Sequence, residues 1–464
     1  MEDEKKQRGK GHRLLLMPSP LQGHITPLLH LAHILFSRGF SITIVHTLFN
    51  APDPTSYPHF SFHTIPDGLS QTEASTLDAV HLTDLINIRC AHPLKEWLAS
   101  QLLNSPEPVP CFISDAALHF TQLVCDELKL PRLVLRTGGA SSFLVFASFP
   151  LLREKGYLPL QESRLEEPVV DLPPLKVKDL PTFRSQDPES FYKLVCRMVQ
   201  ECKGSSGVIW NTFEELESSA LRKLRQDFSI PIYPIGPFHK HLLTGAASSA
   251  SLLTPDKSCM SWLDKQECKS VVYVSFGSIA AISEAEVLEI AWGLANSKQP
   301  FLWVIRPGLI RGSEWLEPLP NGFLENLGGR GYIVKWSPQE QVLRHPAVGA
   351  FWTHNGWNST LESICEGVPM ICMPCFADQK VNAKYASSLW KVGVQLQNKL
   401  ERGDVEKAIK KLMVGDEANQ IRENALNLKE KAIACLKEDG SSYCFLDSLV
   451  SDILSVESSA SRAR

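Results

Sequence analysis

The sequence predicts an α/β protein with two doubly wound domains, each built on a parallel sheet. First, the chain has 464 residues, which is too long for one ordinary core and suggests two domains of roughly 200 to 250 residues. Second, short apolar runs typical of buried strands alternate with helical patterns in both halves. Third, a proline-containing stretch and a Ser/Ala-rich run, 231–251, separate the halves and are typical of a connector.

Composition excludes several classes of function. The formal charge of −4 at pH 7 shows no basic excess, so nucleic acid is not an expected partner. Residues 1–13 are charged and precede no signal-peptide core, and no apolar run approaches the roughly 18 residues that span a bilayer. We therefore expect a soluble, cytoplasmic protein. Its twelve cysteines are expected to be mostly small buried hydrophobes, not disulfides or metal ligands.

The chain opens with a predicted βαβ unit. Residues 13–18 and 42–46 form short apolar strands, and the helix between them has one apolar face and ends before Gly39. The connection from the first strand to this helix ends at His24. In open α/β sheets, ligands bind at this edge.

His24 is a candidate general base because of its position. The positive end of the helix dipole disfavours imidazolium, and a general base must be unprotonated. A lone histidine is more often structural, and the chain has fourteen. However, the predicted strand 111–115 places Asp115 at the same edge of the sheet. Asp115 could hold one imidazole tautomer and stabilise the charge that forms during proton transfer.

The remaining elements complete two sheets. In the first half, strand 132–136 ends at Thr137, where small residues suggest a helix start or close approach to a ligand. Helical segments are predicted at 76–100, before this strand, and at 186–201, after it, and a further strand is predicted at 208–211. In the second half, a helix near 259–264 precedes strand 271–276, which ends at Gly277–Ser278. The other predicted strands are 301–305, 332–334 and 350–353, and the later helices lie near 404–413, 417–437 and 441–454.

The stretch 336–379 concentrates polar and aromatic residues at predicted loops and helix starts. Apolar residues 348–352 indicate a strand, which a tight turn at Gly356 joins to a helix. A helix N-terminus with free N–H groups is a natural seat for phosphate, and Asn358 and Ser359 can add side-chain donors. The alternative is simple N-cap chemistry.

The whole stretch, from WSPQ at Trp336 to ADQ at Gln379, resembles without a gap the signature box of plant secondary-product glycosyltransferases. In that family the box ends in Gln and binds a uridine diphosphate sugar. Ser337 and Asn355 stand where many members have Ala and Cys or Ser, and neither change removes a ligand-binding side chain. Segments such as SSGVIWNTFEELE and GFLENLGGRGYIVKW resemble the subgroup with steviol-glycoside and cytokinin glucosyltransferases.

The resemblance implies a role for each residue of a nucleotide-sugar site. It implies Trp336 on uracil, Gln339 and Glu362 on ribose, Ser278, His354, Asn358 and Ser359 on the diphosphate, and Thr137, Trp357, Asp378 and Gln379 on the sugar, with Ser337 inside the same box. It also implies that His24 and Asp115 are catalytic. Four apolar residues, Leu85, Ile86, Leu194 and Met198, would help to wall the acceptor pocket, although ordinary core is the alternative.

The resemblance further implies a GT-B fold, with two Rossmann-like domains facing across a cleft. The expected divisions are an acceptor-binding domain at 1–238, a linker at 239–257, a nucleotide-sugar domain at 258–440, and a helix at 441–464 that packs back on the first domain. The expected reaction is a single displacement with inversion that needs no metal or cofactor. The terminal Gln379 favours UDP-glucose as donor over UDP-galactose.

The expected function is glucosylation of a hydroxyl on a small apolar plant metabolite, such as a terpenoid, a phenolic or a glycoside of either. N-glucosylation of a cytokinin-like acceptor and a non-catalytic sugar-nucleotide-binding protein are alternatives. A nicotinamide-dependent oxidoreductase would share the sheets but predicts a GxGxxG turn, which is not found. The expected partners are UDP-glucose and a small acceptor, and a monomer is expected.

Overall fold

A computed structural model of the protein describes residues 9–75, 78–183, 185, 187–241, 253–396 and 399–462. The chain divides into two compact units. Unit 1 takes the described residues of 1–159, 182–252 and 434–464, and unit 2 takes 160–181 and 253–433. Of the predicted linker 239–257, residues 242–252 lie outside the described part of the chain.

Unit 1 contains a seven-stranded parallel sheet with the strand order β3-β2-β1-β4-β5-β6-β7. Its strands are β1 (Arg13–Met17), β2 (Ser41–Thr47), β3 (Ser61–Ile65), β4 (Phe112–Asp115), β5 (Arg132–Arg136), β6 (Gly207–Trp210) and β7 (Ile232–Pro234). Its helices are α1 (Gln22–Ser37), α2 (Gln71–Ala74), α3 (Ala79–Arg89), α4 (Ala91–Asn104), α5 (Phe120–Glu127), α6 (Ala140–Ala147), α7 (Phe149–Glu154), α8 (Pro188–Lys203), α9 (Glu214–Asp227) and α10 (Phe238–His241).

Side-chain alternation along the strands gives this sheet two buried faces. Leu14 and Leu16 of β1 pack in one core with α1. Leu15 and Met17 of the same strand pack in a second core with residues of α3, α4 and α5. α1 ends at Ser37, and Gly39 follows with φ of +95°, so the predicted helix stop is confirmed. Strands that are covered on both faces expose their polar groups only at their ends.

The last helix of the chain, α19 (Ser441–Arg462), belongs to unit 1. Leu446 and Leu449 lie in the same core as β1 and α1. Two polar contacts add to this packing: Arg38 pairs with Asp447 at 2.5 Å, and the Tyr233 hydroxyl donates to the carboxylate of Asp452 at 2.6 Å. α19 thus completes the core of the first unit from the far end of the sequence.

Unit 2 contains a six-stranded parallel sheet with the order β10-β9-β8-β11-β12-β13. Its strands are β8 (Val271–Ser275), β9 (Phe301–Val304), β10 (Gly331–Val334), β11 (Val348–Thr353), β12 (Met370–Cys372) and β13 (Gly393–Gln395). Its helices are α11 (Ser258–Leu263), α12 (Glu284–Ser297), α13 (Phe323–Asn326), α14 (Gln339–Arg344), α15 (Trp357–Glu366), α16 (Gln379–Lys384), α17 (Arg402–Met413) and α18 (Asp416–Ala434).

This sheet is also covered on both faces. Val272 and Val274 of β8 lie in a core with α12 and α17, whereas Val271 and Tyr273 lie in a core with α11 and α14. Alternation along β8 therefore turns Tyr273 toward α14. The Tyr273 hydroxyl thereby reaches Gln339, the first residue of α14.

Two differences from the sequence analysis concern the segments between elements. The stretch 231–237, predicted to be connector, in part forms β7. β7 lies at the edge of its sheet, which is where a strand tolerates proline. In addition, residues 160–181 group with unit 2, although the sequence analysis placed them in an N-terminal domain of 1–238. Burial lowers the pKa of Lys380 in α16, and the charge of Asp179 in this segment acts in the opposite direction.

Two expectations from the sequence concern the state of the cysteines and the presence of membrane-spanning helices. All twelve thiols are free, and only Cys268, Cys375 and Cys444 are exposed. Among the described residues, none of the helices is both long enough and apolar enough for a bilayer crossing.

Candidate active site

His24, Asp115 and Thr137 come together at the carboxyl edge of the unit 1 sheet. His24 lies in the first turn of α1, Asp115 ends β4, and Thr137 follows β5. Nδ1 of His24 is 2.7 Å from Oδ2 of Asp115 and 3.2 Å from Oγ1 of Thr137. Residues predicted from three separate segments thus form one cluster.

The charge of Asp115 determines the tautomer of His24. Asp115 is 1% exposed, and burial alone would raise its pKa. The charge and hydrogen bond of His24, the N–H of Ala117 and the charge of Arg136 outweigh burial and bring the pKa of Asp115 below its ordinary value. An ionised carboxylate only accepts hydrogen bonds, so Nδ1 of His24 carries the proton. When the ring is neutral, Nε2 is therefore its basic nitrogen.

A buried carboxylate that the sequence analysis missed holds the loop after β5. Glu217 is 3% exposed and accepts the backbone N–H groups of Ala140 and Ser141, each at 2.8 Å. These are the first two residues of α6, where a carboxylate meets the positive end of the helix dipole. The indole N–H of Trp210 donates to the Gly138 carbonyl at 2.8 Å. Glu217 ends the acidic run EELE, and nothing in such a run indicates which side chain is buried.

The four predicted wall residues differ in exposure. Leu85 and Leu194 are half-buried, whereas Ile86 and Met198 are buried. Ile86 lies in the core beneath α3 and α4, and Met198 accepts a hydrogen bond from Nη1 of Arg136 at 3.3 Å. Leu85 and Leu194 are therefore the better candidates for contact with an acceptor.

In unit 2, the residues predicted for the nucleotide sugar also follow the carboxyl ends of strands. Ser278 follows β8, Trp336 follows β10, and His354 follows β11. Trp336 is half-buried and packs against the core that contains Tyr273. Its partly exposed indole is suited to covering a planar base.

A hydrogen-bond network fixes Gln339 and Glu362. Nε2 of Gln339 donates to Glu362 at 2.7 Å and to Oγ of Ser359 at 2.8 Å. The Tyr273 hydroxyl donates to Oε1 of Gln339 at 3.1 Å and lies 2.9 Å from Oγ of Ser337. Tyr273 was not predicted, because its position in an apolar strand makes it look like core. Its hydroxyl orients the Gln339 amide before any ligand arrives.

The turn between β11 and α15 is built around His354. Asn355 has φ of +59°, so Asn355, and not the predicted Gly356, takes the left-handed conformation of the turn. Gly356 is needed for a different reason: a Cβ there would lie 2.5 Å from Nε2 of His354. A Cβ at Gly277, where φ is +71°, would lie 2.6 Å from the same ring. Two glycines thus leave room for one imidazole.

The His354 imidazole is neutral at neutral pH. Burial, together with the charge of Arg306, lowers its pKa to about 4. Its Nδ1 is buried and has no hydrogen-bond partner within the described residues. A neutral ring with an unused polar atom can contact a ligand at this turn.

The start of α15 presents backbone and side-chain donors. Asn358 and Ser359 lie in its first turn, where free N–H groups and the helix dipole favour an anion. Trp357 is buried, and its ring lies 6.4 Å from that of Trp390. A sugar contact at Trp357 would therefore involve its backbone N–H and not its indole.

The end of the box is also held by hydrogen bonds. Oε1 of Gln379 accepts the backbone N–H groups of Cys375 at 2.9 Å and Phe376 at 3.1 Å. The amide nitrogen of Gln379 is left as the donor end of this side chain. Asp378 accepts a hydrogen bond from Asn382 at 3.2 Å.

A search of the described residues for three or more grouped His, Cys, Asp or Glu side chains that could hold a metal ion finds none.

Comparisons with known proteins decide the family. The UDP-glucoronosyl and UDP-glucosyl transferase family matches residues 224–431. UDP-glycosyltransferase 76B1 of Arabidopsis thaliana is 50% identical over 442 residues, covering 95% of this chain and 98% of that protein. The chain belongs to the plant UDP-glycosyltransferases. UDP-glycosyltransferase 76G1 of Stevia rebaudiana is 48% identical, covering 96% and 97% of the two chains, in keeping with the predicted subgroup.

Solved structures of plant glycosyltransferases confirm the predicted GT-B class for this UDP-glycosyltransferase. Os79 of O. sativa, solved with UDP, has a TM-score of 0.81 and 28% identity, with 95% of this chain and 100% of that chain covered. Phytolacca americana UGT2, solved with UDP-2fluoro-glucose and pterostilbene, has a TM-score of 0.80 and 29% identity, with coverage of 95% and 99%. The enzyme is thus a hexosyltransferase that uses a UDP-sugar donor.

The Tyr273 network makes a testable prediction about nucleotide binding. We expect Tyr273→Phe to weaken UDP binding roughly fivefold, because loss of one buried hydrogen bond to the predicted ribose ligand costs about 1 kcal/mol. Isothermal titration calorimetry measures this change. The control is Tyr332→Phe, because Tyr332 lies in β10 of the same sheet and its hydroxyl donates to exposed Ser258 at 3.0 Å. Equal affinities for UDP in both variants would contradict the role given to Tyr273.

Proposed function

We propose that this UDP-glycosyltransferase is an inverting, UDP-glucose-dependent enzyme that glucosylates a hydroxyl of a small apolar plant metabolite. The single observation that carries the proposal is the contact between His24 and Asp115. The contact holds a proton on Nδ1, so that Nε2 is the nitrogen that can accept the acceptor's proton when the ring is neutral. A protein that only binds sugar nucleotides has no need of such a pair.

The proposed reaction is one displacement. Nε2 of His24 takes the proton of the acceptor hydroxyl as the oxygen bonds to the anomeric carbon of the sugar. The bond from that carbon to the diphosphate breaks, and UDP leaves with the bonding electrons. The Asp115 carboxylate stabilises the imidazolium that forms. Attack opposite the leaving group inverts the anomeric configuration.

Protein donors are proposed to offset the charge of the leaving diphosphate. They are the N–H groups at the start of α15, the side chains of Asn358 and Ser359, His354, and Ser278 after β8. Fixed dipoles of this kind are already oriented before charge develops, so the reaction does not spend energy on turning them. The proposal needs no metal for this step.

Glucose is proposed as the transferred sugar because of Gln379. Its amide oxygen is occupied by two backbone N–H groups, which fixes the direction in which the amide nitrogen can donate. A histidine side chain at this position could not accept the same two bonds in the same geometry. Selectivity for a sugar hydroxyl depends on such oriented donors.

The acceptor is proposed to be apolar. Leu85 and Leu194 are half-buried in α3 and α8, and apolar side chains line most small-molecule pockets. Phytolacca americana UGT2 was solved with pterostilbene, a phenolic of the proposed class. The proposal covers terpenoids, phenolics and their glycosides.

The catalytic proposal predicts the behaviour of His24→Ala. We expect the rate of sugar transfer to fall by about 10²- to 10⁴-fold, the usual contribution of a general base, while the affinity for UDP-glucose stays within about twofold. Transfer is followed by UDP release, and binding by calorimetry. His92→Ala is the control, because His92 lies on the surface of the same unit with its side chain 79% exposed. Transfer by His24→Ala at the rate of the control would end the assignment.

The donor proposal predicts the behaviour of Gln379→His. We expect the ratio of kcat/KM for UDP-glucose over UDP-galactose to fall by at least about tenfold, because the oriented amide donor is lost. Parallel assays with the two donors and one acceptor measure the ratio. Lys384→His, in the last turn of the same helix, tests whether an imidazole elsewhere in α16 has the effect. An unchanged ratio in Gln379→His would refute the role of Gln379 in donor choice.

A further inference from the structure

A buried arginine beside the candidate diphosphate site has no part in the roles assigned so far. Arg306 follows β9, two residues beyond Val304, and is 9% exposed. β9 lies next to β8 in the sheet, so the guanidinium is adjacent to the turn after β8 that carries Gly277 and Ser278. No sequence motif distinguishes Arg306 among the arginines of the chain.

The hydrogen bonds of Arg306 all go to uncharged acceptors. Nε donates to the Gly277 carbonyl at 3.0 Å, Nη1 to the Pro307 carbonyl at 3.1 Å, and Nη2 to the Ala280 carbonyl. These bonds clamp the turn 277–280 onto the end of β9. Backbone carbonyls satisfy the donors but do not neutralise the charge.

The positive charge of Arg306 has no counter-ion in the described part of the chain. No ion pair with a carboxylate is formed there, and burial is the cause that lowers its pKa. Arginine nevertheless keeps its proton in proteins. Burial of a cation without a counter-ion is costly, and an anionic ligand bound beside Arg306 would offset that cost.

The location indicates which anion this is. The Gly277 carbonyl that Arg306 holds belongs to the turn packed against the His354 ring, and the charge of Arg306 acts on His354. His354 itself is neutral at neutral pH. Arg306 therefore supplies fixed positive charge where neutral donors from two turns converge.

We propose that Arg306 is a positioning residue for the diphosphate of the donor, which clamps the turn 277–280 and supplies the charge that the diphosphate neutralises on binding. The inference rests on the proposed function, because it assumes that UDP-glucose binds at this edge of the unit 2 sheet. Arg306 acts through the turn and through its field, without being assigned a direct contact. Arg306 is therefore expected to strengthen binding of the diphosphate and to leave binding of the nucleoside unchanged.

The test compares binding of UDP and uridine by calorimetry to the full-length protein. Arg306→Met removes the charge and keeps most of the side-chain volume. We expect it to weaken UDP binding at least tenfold and to leave uridine binding within about twofold. Arg311→Met is the matched control: Nη2 of Arg311 donates to the Ala281 carbonyl at 3.0 Å in the same segment, but this side chain is exposed. It should change neither affinity by more than about twofold.

A purely structural role predicts a different result. If Arg306 stabilises only the fold and has no effect at the diphosphate, Arg306→Met lowers the affinities for UDP and uridine together, or lowers neither, and the inference is overturned. If Arg306→Met does not fold, Arg306→Gln decides, since it removes the charge and keeps amide N–H donors for the carbonyls of the turn. A fall of at least about threefold in the ratio of UDP to uridine affinity supports the inference, and an unchanged ratio overturns it.

The wild-type measurement separates this inference from the proposal beneath it. Wild-type protein that binds neither UDP nor uridine would overturn the proposed donor site and the inference with it. If the wild-type protein binds UDP far more tightly than uridine and Arg306→Met keeps the same preference, the inference alone is overturned.

Discussion

The direction of the strands is the constraint on which both candidate sites depend. Parallel strands end at the same edge of a sheet, so residues distant in sequence meet there. In unit 1 this edge joins His24, Asp115 and Thr137. In unit 2 it collects the turns after β8, β9 and β11 around His354. Each cluster follows from strand order and not from a local motif.

Buried polar partners then orient the groups at these edges. Asp115 fixes the tautomer of His24, Tyr273 fixes the amide of Gln339, and Glu217 fixes the start of α6. Each contact is made inside the protein, where an unsatisfied group would be costly and a satisfied one is rigid. These groups are oriented when the protein folds, so less conformational entropy is lost in ordering them when a substrate binds.

Much of the fold could be predicted from the sequence, because apolar strands and amphipathic helices have different periods. The strand 132–136 matches β5 residue for residue. β7 was missed because the prolines within and beside it are typical of a connector. An edge strand is distinguished from a connector only by the strand that it pairs with. Tyr273, Glu217 and Arg306 were missed for a related reason. Their importance depends on burial and on partners that are 66, 77 and 29 positions away, which no local pattern encodes.

The central claim is that the protein transfers glucose from UDP-glucose in one displacement, with His24 as the base. The most direct test is to incubate the protein with UDP-glucose and a pooled panel of terpenoid, steviol glycoside, flavonoid, cytokinin and hydroxy-acid acceptors, and to determine the anomeric configuration of the product by NMR. The account predicts a single added glucose in the β configuration, since the sugar of UDP-glucose is α-linked. An α-linked product would contradict the proposed displacement.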